Sequence, residues 1–329
     1  MKHRVIEGLN LGGWLVLERW MTPSVFDGTT AEDEFTLSQL TGGKERIQKH
    51  RETFIQEKDW RWLSSSGIRY VRLPVGYWVF GEAAPYFGAV RYLDWAFEMA
   101  EKYDIKILLD LHGLKGSQNG EMHSGRTGGV EWRRYIDDHL DILRRLAGRY
   151  KDSPALWGIE IINEPKVRGH YFALLRYYRK AYKVLQSSLL PGTYTVFHDG
   201  FLPPLFSGTL RKKKDFPVLM DTHFYGVFPG LSGRLSPKTY DRIRRSIFSP
   251  LLRLTQFSQP VIVGEWSSVL PQPFFDRIPS DRHLALLGET IDRQRNMYSR
   301  AFAIFYWNYK TEGRGMFNYR SLVEDDSIR

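Results

Sequence analysis

The sequence contains no cysteine. Disulfide scaffolds, thiol nucleophiles and cysteine-ligated zinc are therefore excluded, while no compartment is selected. No apolar stretch approaches the roughly 20 residues that a membrane-crossing helix needs. The longest strong run, Ala301 to Trp307, has the length of a strand. The opening Met1-Lys2-His3-Arg4-Val5-Ile6-Glu7 carries charge but no apolar signal core behind it. The expectation is a cytoplasmic chain, or one that has lost its leader. Histidines lack the HExxH spacing, and no Asp-rich calcium loop, nucleophile elbow or phosphate loop is found. No metal and no cofactor is expected. Linkers, repeats and low-complexity tracts are also missing, so residues 1–329 read as a single domain.

Aromatic residues, by contrast, are plentiful at 15%, ten of them Trp. Such a surplus fills a core or lines a groove for flat ligands such as sugar rings or bases. The formal net charge is +10. Its positives are dispersed in short clusters, among them Arg133-Arg134, Arg144-Arg145, Arg211 to Lys214, and Arg242 with Arg244-Arg245. Without a recognition motif these read as solvated helix faces, and a nucleic acid is not an expected partner. A membrane surface is not the expected partner either, but stays open; the oligomeric state is left undetermined.

Eight β-rich apolar runs alternate with helical patterns: Val5–Leu11, Ile68–Val75, Ile105–Leu111, Ala155–Ile162, Tyr194–His198, Pro217–His223, Pro260–Glu265 and Ala301–Trp307. Near-continuous apolarity marks strands buried on both faces, as in a parallel sheet. Helical stripes run through Leu93, Ala96, Phe97 and Ala100, through Ile136, Leu140, Leu143 and Ala147, and through Tyr178, Ala181, Tyr182 and Leu185. Helices are also expected at Thr53–Ser65, Lys238–Leu254 and Ser280–Tyr298, with Pro250 kinking or ending the second. Leu15 to Lys49 reads as a capping loop, and Gly200 to Lys214 as a weak or short helix. The pattern predicts a (β/α)8 TIM barrel. A doubly wound sheet would carry a Gly-rich phosphate loop after its first strand, but Gly12-Gly13 runs into Trp14.

In such a barrel, functional groups sit at the C-terminal ends of strands. The runs end in Arg72, His112, Asn163-Glu164, His223 to Tyr225, Glu265-Trp266 and Trp307. Glu164 and Glu265 end strands four and seven, which lie across the mouth. A buried carboxylate costs free energy unless it is paired or used. Two facing ones provide the acid and the nucleophile of a retaining glycosidase. Like charges that close cannot both ionise, so one carboxyl should keep its proton, and Arg72 could hold the other ionised. Asp110 and His112 are expected to face opposite sides of their strand and form no dyad.

At this point the chain resembles glycoside hydrolase family 5. The motifs are Asn163-Glu164-Pro165 and Gly264-Glu265-Trp266. Gly8 to Glu18, Val71 to Trp78, Asp110 to Gly113 with Gly116 to Gly120, and Trp307 to Glu312 narrow the resemblance to exo-β-1,3-glucanases. The resemblance implies that Glu164 is the acid/base and Glu265 the nucleophile, steadied by Arg72 and hydrogen-bonded by Tyr225. It places His112 and Asn163 on sugar hydroxyls, His223 beside the carboxylates, Trp307 under the sugar, and Glu18 on the hydroxyls of a non-reducing-end glucose. Phe228 matches an acceptor-side aromatic. After Gly120 the family usually has an aromatic followed by Asp and Asn; here stand Glu121, Met122 and His123. Arg19 replaces a family Pro.

The expected function is a retaining β-glucosidase on β-glucan, most simply exo-1,3, with β-glucan or another β-glucoside as substrate. Two alternatives keep the chemistry: a glucan transglycosylase, and a glucosidase acting on a lipid-linked glucoside. A non-catalytic sugar-binding barrel is disfavoured by the presence of both Glu side chains.

Overall fold

The computed structural model describes residues 5–225, 235–325 and 328. Eight parallel strands close in sequence order into a barrel: β1 (Ile6–Asn10), β2 (Tyr70–Gly76), β3 (Lys106–Gly113), β4 (Leu156–Glu160), β5 (Tyr194–His198), β6 (Val218–His223), β7 (Val261–Trp266) and β8 (Ala303–Tyr306). β8 returns to β1 through pairs such as Ile6 with Ala303. The helices are α1 (Glu34–Ser38), α2 (Gly43–Thr53), α3 (Glu57–Ser65), α4 (Val90–Lys102), α5 (Ile136–Tyr150), α6 (Tyr171–Ser188), α7 (Pro203–Phe206), α8 (Pro237–Gln256), α9 (Gln272–Phe275), α10 (His283–Met297) and α11 (Tyr319–Glu324). The (β/α)8 expectation is met, and each predicted run contains or overlaps its strand.

The period-two alternation of the strands divides the barrel into two cores. Val71, Leu73, Ile107, Leu109 and Val263 point outward into the cluster shared with the helices. Leu108, Val196, Leu219, Ile262, Ala303 and Phe305 point inward and fill the barrel's lower interior. Two residues further along several of the same strands stand Asp110, His198 and Asp221, all buried. The interior thus changes from apolar to ionic within one side-chain layer, and the C-terminal mouth of the barrel lies directly above.

Helix boundaries depart from the sequence reading where local chemistry decides them. The helix expected at Thr53–Ser65 is split. α2 ends at Thr53, and α3 begins at Glu57 because the Asp59 carboxylate accepts the Gln56 N–H at 2.8 Å, capping a new first turn. α8 runs through Pro250 to Gln256 rather than ending there. The carbonyl that loses its partner belongs to exposed Ser246, where water can reach it. The stretch read as a capping loop folds into α1, a 3-10 turn at Pro23–Phe26 and the start of α2. It packs as its own small core around Leu17, Phe26, Leu37 and Ile47.

Candidate active site

Glu265 reaches the mouth because β7 carries an irregularity. Thr222 pairs with Val263, but His223 pairs with Glu265, so Gly264 is the extra residue. A bulge beside a site re-aims the following side chain. Only glycine fits there: a Cβ would lie 1.8 Å from Asp221 Oδ2, whose partner Oδ1 accepts the Gly264 N–H at 2.6 Å. Glu164 lies four residues beyond β4 with φ at +41°, a left-handed conformation unusual for a residue with a side chain. Its carbonyl accepts the Asn119 amide at 3.1 Å. Asn163 is tied down in the same way, its carbonyl accepting from Gln118 Nε2 at 3.0 Å.

Both carboxylates meet His223. Its Nδ1 lies 2.5 Å from Glu164 Oε1 and 3.5 Å from Glu265 Oε2. Those two legs cap the oxygen–oxygen separation at about 6 Å. Glu265 accepts two further bonds, from Arg72 Nη1 at 3.0 Å and from the Tyr225 hydroxyl at 2.6 Å.

Arg72 is the third residue of β2, fully buried inside the barrel, rather than at the strand's end. It serves four acids at once: Asp110 at 3.0 Å, Glu160 at 2.8 Å, Glu265 at 3.0 Å and Asp221 at 3.8 Å. It also donates to Asn163 Oδ1 at 2.8 Å and Asn10 Oδ1 at 3.1 Å. One guanidinium fixes side chains from β1, β3, β4, β6 and β7 together with Asn163, which suits its rigid fork of donors.

Asp110 and His112 do form a pair, Oδ2 to Nδ1 at 2.6 Å. The expectation of opposite faces was wrong, because residues two apart on a strand share a face. His112 stacks on Trp307, their rings 5.8 Å apart and 9° from parallel. Trp307 in turn lies over Gly12, where a Cβ would meet its indole at 2.5 Å.

A cavity of about 210 Å³ collects these groups. Glu18, His112, Asn163, Glu164, Tyr225, Glu265 and Trp307 line it, with Trp20, His123 and Phe317. The structure thus brings together every expected site residue except Phe228, which lies outside the described residues. His223 and Arg72 stand behind the carboxylates. Sequence reading missed Trp20, which donates to Glu18 Oε2 at 2.8 Å and meets Phe317 edge-on at 5.0 Å. Trp20 could have been found from its place two residues after Glu18; Phe317, beyond the last strand, gave no signal. His123, noted only as a departure, has Nε2 3.3 Å from Glu164 Oε2 and 2.6 Å from the Asn119 amide.

Electrostatics follow from burial and from this crowding. Burial works against the His223 cation. The charges of Glu265 and Asp221 and the bond to Glu164 outweigh it and raise its proton affinity well above the ordinary range. Burial raises Glu164 too, but the hydrogen bond and charge of His223, then His123, hold it well below the usual carboxylate range. Burial pushes Glu265 up, opposed by His223 and Arg72 and reinforced by Glu164. Taken singly, these directions are the reverse of a proton-bearing Glu164 facing an ionised Glu265. The geometry resolves the conflict: the shared proton resides on His223, one 2.5 Å bond from Glu164, while Arg72 and Tyr225 both donate to Glu265. Glu18 is a separate case. Burial, with small additions from Glu265 and Glu164, pushes it up to about 8 against the pull of Trp20.

A parallel eight-stranded barrel with two convergent carboxylates, an aromatic platform and buried polar side chains at its C-terminal mouth defines a barrel glycosidase. No family model matches the chain. Curated relatives do. It is 36% identical to the probable glucan 1,3-beta-glucosidase A of Aspergillus niger over 82% of this chain and 66% of that one. It is 34% identical to the glucan 1,3-beta-glucosidase of Pichia angusta over 80% and 64%. With a Neosartorya fischeri relative the identity is 35%, over 97% and 86%. The chain spans about two thirds of the length of the first two. Among solved structures, the rutinosidase of Aspergillus niger superposes with a TM-score of 0.80 at 20% identity, covering 100% and 99% of the two chains. The Pseudomonas stutzeri endoglucanase Cel5A does so at 0.60 and 18%, covering 100% and 96%. At those identities the likeness is one of fold. The chain belongs to glycoside hydrolase family 5, grouped with the glucan 1,3-beta-glucosidases.

Proposed function

We propose that this protein hydrolyses β-glucan as a retaining β-glucosidase, removing glucose from β-1,3-linked chain ends, and that a single barrel domain does so. The observation carrying the reading is the ceiling of about 6 Å between a Glu164 oxygen and a Glu265 oxygen. Retaining enzymes hold the two carboxyl groups about 5–5.5 Å apart and inverting ones about 6.5–9.5 Å, and the bound on this oxygen pair fits the closer arrangement. Relatives named for glucan 1,3-glucosidase action support the substrate class. Glu18 and Trp20 in the cavity wall offer partners for sugar hydroxyls, which suits a reading of action at chain ends.

In the first step Glu265 attacks the anomeric carbon, and the bond from that carbon to the leaving oxygen breaks. The oxygen takes a proton from Glu164, which His223 supplies across their short hydrogen bond. Forming the ester removes the Glu265 charge, and with it the largest support for the His223 cation. In the second step Glu164 takes a proton from water, whose oxygen displaces Glu265. Arg72 and Tyr225 stabilise the departing carboxylate.

Replacing Glu265 with Ala and adding azide tests the assignment. An α-glycosyl azide is expected from a β-glucoside, and the Glu164→Ala variant should give the β-azide from an activated aryl substrate. Wild-type turnover in Glu265→Ala would reject the roles.

A further inference from the structure

We propose that the face of the barrel opposite the catalytic mouth docks on an anionic lipid surface. That face is marked by the N-terminal ends of β6 and β7. The run Arg211-Lys212-Lys213-Lys214 leads into β6, and all four side chains are exposed. Among the described residues none of them is paired with a carboxylate. A rigid base presents them. The Tyr182 hydroxyl accepts the Lys213 N–H at 3.1 Å and donates to the Phe216 carbonyl at 2.8 Å, and Phe216 N–H closes the turn on Lys213 at 3.1 Å.

Beside this cluster stands the end of α8. Ser207 Oγ donates to the Thr255 carbonyl at 3.2 Å, which brings Leu254 and Phe257 next to the basic segment. Phe257 is 95% exposed and Leu254 64%. Leu190, 47% exposed, stands near the other end of the basic run, where the Gly192 N–H bonds the Asp215 carbonyl at 2.8 Å. Between cations and helix lies a cavity of about 360 Å³ lined by Arg211, Lys212, Ser258 and Gln259. Gln259 is only 8% exposed; its Oε1 accepts the Gly208 N–H at 3.2 Å, while its Nε2 has no partner. An arginine and a lysine side chain on the wall of one cavity suit the phosphate of a lipid headgroup.

Lipid is favoured over other polyanions by the apolar side chains. An acidic polymer would use the cations but has no use for Phe257, Leu254 and Leu190. A bilayer uses both, cations at the headgroups and phenylalanine at the acyl boundary. No helix among the described residues is long and apolar enough to cross a membrane, and the contact proposed is a peripheral one. Docked this way, the mouth points away from the lipid. A polysaccharide can enter it, and a glucolipid of the same membrane cannot.

The absence of cysteine provides a clean test. Phe257→Cys and, as a mouth-side control, Phe172→Cys are each labelled with an environment-sensitive thiol fluorophore. They are mixed at about 0.1 M salt with phosphatidylcholine vesicles, with or without phosphatidylserine. The label at 257 should brighten and shift to the blue only with the anionic vesicles, and the label at 172 should not respond. The triple variant Lys212→Gln, Lys213→Gln, Lys214→Gln should bind about a hundredfold more weakly, roughly fivefold per cation, with aryl-glucoside hydrolysis unchanged. Equal binding to neutral vesicles, no binding to anionic ones, or a response at 172 instead of 257 would overturn the proposal. So would retention on heparin without vesicle binding, which assigns the patch to an acidic polymer.

Discussion

Replacing Glu18 with Gln should stabilise this protein at neutral pH while leaving its stability at pH 4 unchanged. Glu18 is buried in the cavity wall, and burial moves its carboxyl from 4.5 up to about 8. The sign follows from linkage. Below about pH 4.5 the group is protonated in both folded and unfolded chains, and costs nothing. From there to about 8 the unfolded chain ionises while the folded one keeps its proton, so stability falls as pH rises. At pH 7 the loss is on the order of 3 kcal/mol, about 1.4 kcal/mol for each pH unit above 4.5. Gln keeps the shape and an acceptor for the Trp20 indole, but cannot ionise. For a chain of this length about 1 kcal/mol moves Tm by roughly 1.5 °C, so a gain of about 4–5 °C at pH 7 is expected. Thermal melts of both proteins at pH 4 and pH 7 provide the check. An equal difference at the two pH values, or a less stable variant at pH 7, would refute the reasoning.

Other positions give separate tests. Gly12→Ala places a methyl 2.5 Å from the Trp307 indole and should raise KM about tenfold or more by tilting the sugar platform, with circular dichroism unchanged. Gly264→Ala forces a Cβ against Asp221 Oδ2 and should cost about 3 kcal/mol or more, read as a lower denaturation midpoint. Tyr225→Phe removes a donor to Glu265. It should lower kcat by about 10–100-fold with little change in KM, and shift the acidic limb of kcat/KM to higher pH, because that bond holds the Glu265 pKa down.

Much of the fold could be read from the sequence because parallel barrel strands are apolar on both faces. Runs such as Tyr194–His198 therefore stand out whatever surrounds them. The paired glutamates were equally visible, since a carboxylate following Ile161-Ile162 or Val261-Ile262-Val263 contradicts its surroundings. What stayed hidden depends on contacts between strands. Arg72 seemed to end a run, yet it is the hub of four acids contributed by β3, β4, β6 and β7, a convergence that no local pattern encodes. Glu160 and Asp221 were passed over for the same reason. The passage of α8 through Pro250 turned on solvent access to one carbonyl. Phe317 enters the cavity only through the closing turn after β8.

Double displacement at one anomeric carbon is tested most directly by the anomer released first. Proton NMR of an aryl β-glucoside or a β-1,3-gluco-oligosaccharide, followed from the first minutes of digestion, should show β-glucose appearing before mutarotation produces the α form. Initial release of α-glucose would mean inversion through a single displacement, and would contradict the roles given to Glu164 and Glu265.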